Sequence, residues 1–247
     1  HDFIGEVVRP IVNRNTNPLP WTQFANALIV RVHGNLRSLG KLNHPGDSQL
    51  VQAVARSIFE TAIDLTLLQY EEHGSFAKLI FWQDSAKLKW AERRRRYNKD
   101  DEFQHVQDFI EQERPRILQG RKHLWNTQRH ADRWTNRSLE ADAEKADALR
   151  PADFGEYYNL HYTQACWQAH GSGVIGLLEM PADMMPFFAA RGFHDAAHFG
   201  VVAAQRVLEV FGQYDEIAER RFKHLEYELA HDALNISQQY SNDLGLG

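Results

Sequence analysis

The sequence predicts an all-α protein, a multi-helix bundle of about eight helices. Three observations carry that expectation. Apolar residues recur at three- and four-residue intervals over long stretches, the period of a half-buried helix. No apolar–polar alternation bounded by turn residues makes a convincing strand, and no Asn-Gly or Asp-Gly pair marks a hairpin. Residues that start and stop helices fall at the ends of the periodic stretches.

Taken in order, Pro18 and Pro20 precede "WTQFANALIVRVHGNLRSLGKL", an amphipathic helix, and "NHPGDS" makes the turn after it. Ser48 is placed to cap the next helix, which runs to about Glu72 with Gly74 beyond its end. "SFAKLIFWQDSAKLKWAERRRRY" follows, with cations in its last turns where the helix dipole favours them. A more polar helix starts near Asp100 and meets Pro115, and the arginine-rich stretch 119–136 has no readable structure. Ser138 opens "LEADAEKADAL", and Pro151 suits the first turn of a long helix reaching His170. "GSG" at 171–173 and "MPADMMP" at 180–186 are breaks, and two further helices, about 194–211 and 214–238, close the chain.

Composition bounds the function classes. A chain of 247 residues with 43% hydrophobic and 25% charged residues is long enough to bury a core without covalent staples. The one cysteine, Cys166, excludes an internal disulfide framework and a cysteine zinc site. No run approaches the roughly 18 apolar residues of a membrane span, so no membrane partner is expected. No leader segment is visible, and the expected compartment is the cytoplasm. Neither a Walker loop nor a dinucleotide fingerprint is present, and no cofactor is expected. Charge is uneven: Arg114–Arg137 carries seven cations against Asp132 alone, within a net charge of −5. Such asymmetry points to an anionic partner.

Helical geometry singles out "ARSIFETAIDL" (55–65). Val51, Val54, Ala55, Ile58, Phe59, Ala62 and Leu65 share one wide face at 100° per residue. Arg56, Glu60 and Asp64 form a stripe opposite, flanked by Ile63 and Leu67. The helix is therefore expected to be buried on most sides, with a narrow charged seam. A solvated Arg56–Glu60 pair would contribute only about 0.2–0.5 kcal/mol. A buried pair is weak evidence for stability and a better candidate for orienting something else.

Three segments in order carry a resemblance: "ARSIFETAIDLTLL" (55–68), "RWTNRSLEADAEKADAL" (133–149) and "YYNLHYTQACWQAHGSG" (157–173). Together they resemble the bacterial domain-of-unknown-function family 5677, over about residues 24–178. The resemblance implies an all-α fold with Arg56, Glu60, His170 and Ser172 at motif positions, and Arg31 in the first helix as another. It implies no established activity. The family's last helix has a serine before the histidine; Thr163 and Cys166 stand there in this chain. The resembling part is taken as a helical core, residues 1–180, with 181–247 as a C-terminal helical extension packed on it. A looser analogy runs to HEPN-type toxin and phage-defence domains, many of them ribonucleases.

Three chemistries follow as expectations. The first is binding or metal-independent cleavage of RNA in a regulatory or defence role. His170 would be its acid/base, Arg56 its phosphate ligand and Glu60 the group orienting Arg56. Arg31, Ser172, Arg133 and Trp134 would contact the substrate. HEPN-like Arg-then-His spacings occur at Arg116–His123 and Arg191–His198, a number that chance supplies in a chain with 13 histidines. The second is a di-metal carboxylate bundle with Glu102, His105, Glu228 and His231 as Glu-x-x-His ligands; Glu-x-x-His, too, occurs at chance frequency. The third is a non-catalytic helical interaction module, homo-oligomeric, in which the Arg–Glu–His network is structural.

Overall fold

The computed structural model describes residues 1–14, 20–42, 47–70, 75–97, 104–127, 129–163, 165–166, 184–214 and 216–243. Among them every regular element is helical. A π-helical turn, Ile4–Val8, leads into α1 (Arg9–Asn13). Then come α2 (Pro20–Leu39), α3 (Ser48–Tyr70), α4 (Ser75–Tyr97), α5 (Gln104–Trp125) and α6 (Leu139–Leu149). A short α7 (Phe154–Tyr157) continues as a second π-helical turn, Tyr158–Tyr162, and α8 (Met184–Val210) and α9 (Glu216–Asp243) complete the chain. Contacts divide it into two compact units, His1–Tyr70 with Ala143–Gly247, and Glu71–Asp142.

In the first unit α8 lies along α3 and also packs on α2 and α9. The α3–α8 approach is close because Gly192 removes a side chain at the crossing. A Cβ there would stand 2.8 Å from both Val51 Cγ1 and Gln52 Nε2. Gln52 Nε2 instead donates to the Phe188 carbonyl at 2.7 Å, tying the two helices by a side-chain–backbone bond. Val51, Ala55, Ile58, Phe59, Ala62, Ile63, Leu65 and Leu67 are all fully buried. The mostly buried helix read from the sequence is thus the one observed. Phe59 is the hub of an aromatic cluster, its ring 4.5 Å from Tyr157, 5.5 Å from Tyr162 and 4.9 Å from Phe199.

In the second unit α4 and α5 form a pair. Leu88 and Ala91 pack with Val106, Ile110 and Ile117, and Phe81 and Phe109 cover them. The helix that meets Pro115 does not end there: α5 runs through it to Trp125, into the stretch that has no readable structure in the sequence. A proline inside a helix costs roughly 3 kcal/mol. Ile110, Ile117, Arg121 and Trp125 lie on one stripe spanning the proline and are all buried. Burying an Ile contributes about 1.5–3 kcal/mol, so the stripe offsets the lost bond. Two smaller expectations also shift. Ser48 is the first residue of α3, and its buried Oγ has no hydrogen-bond partner among the described residues, so it does not act as the cap. The helix expected from Pro151 starts at Phe154, set by Asp147, whose carboxylate accepts from the backbone of Ala152, Phe154 and Gly155.

His130 is built into this second unit. Its Nδ1 lies 2.8 Å from Ser85 Oγ and its ring stacks on Trp82. Burial, and then the charges of Lys89 and Arg121, lower its pKa from 6.5 to about 4. Between those values the unfolded imidazole takes a proton that the folded one refuses, so stability falls as pH drops through the window. Chemical denaturation at about pH 7 and about pH 4.5 should show a lower midpoint in acid, and His130→Gln should flatten that difference. An unchanged slope in His130→Gln would assign the acid sensitivity to other groups.

Candidate functional site

The charged seam of α3 is neither solvated nor sealed. The Arg56 and Glu60 side chains are 28% and 33% exposed, with Arg56 Nε 3.0 Å from Glu60 Oε1. The same oxygen accepts from the Tyr162 hydroxyl at 2.7 Å. The Arg56 guanidinium lies 5.1 Å from the centre of the Tyr162 ring, a cation–π distance. The unit is therefore a triad, in which Glu60 holds the guanidinium by its Nε edge and Tyr162 supports it from one face. Burial works against the Arg56 charge, but the Glu60 bond and the Tyr162 and Cys166 groups outweigh it and raise the pKa. Burial and the Glu60 bond together hold the Tyr162 phenol protonated far above its ordinary range.

Tyr162 reaches Glu60 from the π-helical turn Tyr158–Tyr162. Such widened turns occur mostly as single insertions and often at functional sites. One residue along α3, Ser57 Oγ accepts from Arg31 Nη2 at 3.0 Å and from Asn35 Nδ2 at 3.2 Å. A second guanidinium, from α2, is thereby fixed next to the Arg56 seam. Of the residues singled out from the sequence, Arg56 and Glu60 are paired, and Arg31 is tied to Ser57, the residue after Arg56. His170 and Ser172 lie outside the described residues.

The sequence reasoning passed over most of what surrounds them. Tyr157 is 3% and Asp195 2% exposed, and Tyr157 OH and Asp195 Oδ2 have no hydrogen-bond partner among the described residues. Arg191 Nε is 2.8 Å from Asp195 Oδ1, close enough for an ion pair but not aligned as a hydrogen bond. Arg191, His194, Asp195 and His198 follow at i, i+3, i+4 and i+7 on one face of α8. Burial, then Asp195, pushes the Tyr157 phenol up, while Arg191 and Arg56 both pull it down. One buried tyrosine thus lies within electrostatic reach of both arginines. His161 is pushed down by burial and then by Arg191, which favours the neutral imidazole, the form able to accept a proton. Two sequence signals fall in this part: "YYNLHY", which opens one of the segments that carry the family resemblance, and the Arg191–His198 spacing, which chance alone supplies.

The other candidates are placed elsewhere. Trp134 is 3% exposed, with its faces covered by protein, and Arg133 Nε is 2.5 Å from the buried Asp142. Arg114, Arg116 and Arg137 face Glu92, Asp84 with Glu113, and Asp142 respectively, and the buried Arg121 donates to Ser85. Acidic and hydroxyl partners thus occupy much of the basic stretch. Glu102 lies outside the described residues, and His105 is exposed on α5. Glu228 is 3.2 Å from His224, and His231 Nδ1 accepts from Asn235, all on exposed positions of α9. Among the described residues no three of His, Cys, Asp and Glu converge as metal ligands, and no helix is long and apolar enough to cross a membrane.

Comparison with known proteins adds one finding. The model of a family described as a family of unknown function (DUF5677) matches residues 25–180. No curated protein and no solved structure matches the chain.

Proposed function

We propose that this chain, which belongs to the family of unknown function DUF5677, binds RNA and cleaves it without a metal, in a regulatory or phage-defence role. The observation that supports the reading is the pre-set Arg56 guanidinium. Glu60 and Tyr162 fix it at a half-exposed seam, and Arg31 is fixed beside it through Ser57. A cation held in place before the reaction is what a developing phosphorane charge requires. In this reading the ribose 2′-oxygen attacks phosphorus as its proton passes to His170, the histidine of the family motif. The P–O5′ bond breaks, and the leaving oxygen takes the proton back from the His170 imidazolium. Arg56 stabilises the charge built up between those events, and Glu60 orients Arg56.

Incubation of total RNA with wild type, Arg56→Ala and His170→Ala tests it. Wild type should degrade RNA, and each variant should lose about 100-fold or more in rate. Intact RNA with folded wild type would end the cleavage reading. No salt-dependent RNA binding either would leave the helical interaction module as the function.

A further inference from the structure

The turn at residues 151–153 departs from its own local chemistry. Asp153 occupies the N-cap of α7, where an aspartate normally accepts the first free amide protons of the helix. It makes no such bond, and its backbone is left-handed, at φ 59°. Asp147 does the capping, its Oδ1 3.0 Å from the Phe154 amide and its Oδ2 2.7 Å from that of Gly155. Asp153 therefore holds a conformation that costs most residues with a Cβ roughly 1–2 kcal/mol, and aspartate less, while its exposed carboxylate is left unused by the helix. Strain retained without a local return points to a role beyond the turn.

That carboxylate lines a cavity of about 370 Å³ between the turn and α8, within the size range of small-ligand sites. His194, His198 and Gln205 form the helix side. The two imidazoles are parallel within 3°, with centroids 6.4 Å apart. His198 Nε2 is 3.3 Å from the Ala152 carbonyl; a carbonyl only accepts, so Nε2 carries the proton. Behind His194 lies the buried Asp195, whose Oδ1 is 3.4 Å from His194 Nδ1 and whose Oδ2 has no partner among the described residues. The lining thus combines a carboxylate and a carbonyl, on a turn that Asp147 holds, with an amide, two aromatic heterocycles and the apolar Val202 on α8, and Pro151 beside them.

Such a lining discriminates among ligands. Asp153 would repel a free phosphate, and an apolar ligand would leave carboxylate and amide unpaired. A planar heterocycle with two neighbouring N–H donors fits both, since a carboxylate accepts two parallel donors and an imidazole face stacks on a base. Among the RNA bases guanine presents that edge, N1–H beside N2–H₂. We propose that this cavity is a guanine-binding subsite, in which Asp153 reads the N1–H and N2–H₂ edge and the His194–His198 wall stacks on the base. The proposal rests on the RNA reading above, because RNA supplies the base.

Calorimetric titration with guanosine, inosine and adenosine 5′-monophosphates and ribose 5-phosphate tests it. The guanine nucleotide should bind at least ten-fold tighter than the adenine nucleotide or ribose 5-phosphate, with inosine, which lacks the N2 amino group, in between. Asp153→Gly relieves the left-handed strain, so it should keep or raise thermal stability while abolishing the guanine preference. Equal affinities for the nucleotides, no binding, or a preference that survives in Asp153→Gly would each overturn the proposal. The two readings also fail separately. Guanine binding by a protein inert toward RNA would sink the RNA reading alone. RNA cleavage without base preference or guanine binding would sink the subsite alone.

Discussion

Replacing Asp142 with alanine is expected to destabilise the protein by about 3–5 kcal/mol, the cost of leaving a buried charge without its partner. The Asp142 side chain is fully buried, with Arg133 Nε 2.5 Å from Oδ2 and Arg137 Nε 2.7 Å from Oδ1. The Thr135 hydroxyl donates to Oδ2 at 2.7 Å. One carboxylate thus gathers three side chains of a five-residue loop, and Asn136, at φ 59°, turns the chain so that they face it. Alanine would take this carboxylate from the Arg133 guanidinium, whose side chain is only 15% exposed. Asn keeps the shape but turns an amide donor toward guanidinium donors, so Asp142→Asn should lose most of the same stability. Chemical denaturation followed by circular dichroism measures both. A loss under about 1 kcal/mol in Asp142→Ala would show that the carboxylate does not hold the loop.

That loop also shows where sequence reasoning stops. The segment "RWTNRSLEAD" stands out in the sequence as part of the family resemblance and offers Arg133 and Trp134 as substrate contacts, whereas in the fold Trp134 is buried and Arg133 pairs with Asp142. Convergence on Asp142 depends on a left-handed residue and a loop closure, and neither leaves a periodic trace. By contrast α3 was legible, because its burial follows from angular position alone, and so was the narrowness of its seam. Tyr162 escaped because a π-helical turn shifts the register that 100° counting assumes. The second half of α5 is not legible because the local cost of Pro115 is offset by long-range burial of Ile110, Ile117 and Trp125. Arg191 and Asp195 were passed over because an Arg-to-His spacing is common by chance, and only packing against Tyr157 gives it a context.

The buried Arg206 offers the other large effect. Its side chain is 2% exposed, and its Nη1 lies 3.3 and 3.2 Å from the two oxygens of Glu209. Glu209 also accepts from Tyr70 OH at 2.6 Å and from Arg150 Nη2 at 3.2 Å. Three donors therefore depend on one carboxylate, and Glu209→Ala should cost about 3–5 kcal/mol because Arg206 cannot reach water without unfolding α8. The double variant Arg206→Met, Glu209→Leu removes both charges and fills their volume. It should be more stable than Glu209→Ala alone, since a well-packed apolar pair often replaces a buried ion pair at little loss. Tyr70 supplies an independent readout. Burial first, and then the Glu209 bond and charge, raise its pKa to about 12. Spectroscopic titration of Glu209→Ala should find it lowered toward 10, with burial keeping part of the elevation. A double variant as unstable as the single one would mean that the loss comes from Tyr70 and Arg150, the partners that both variants abandon, and not from the stranded guanidinium of Arg206.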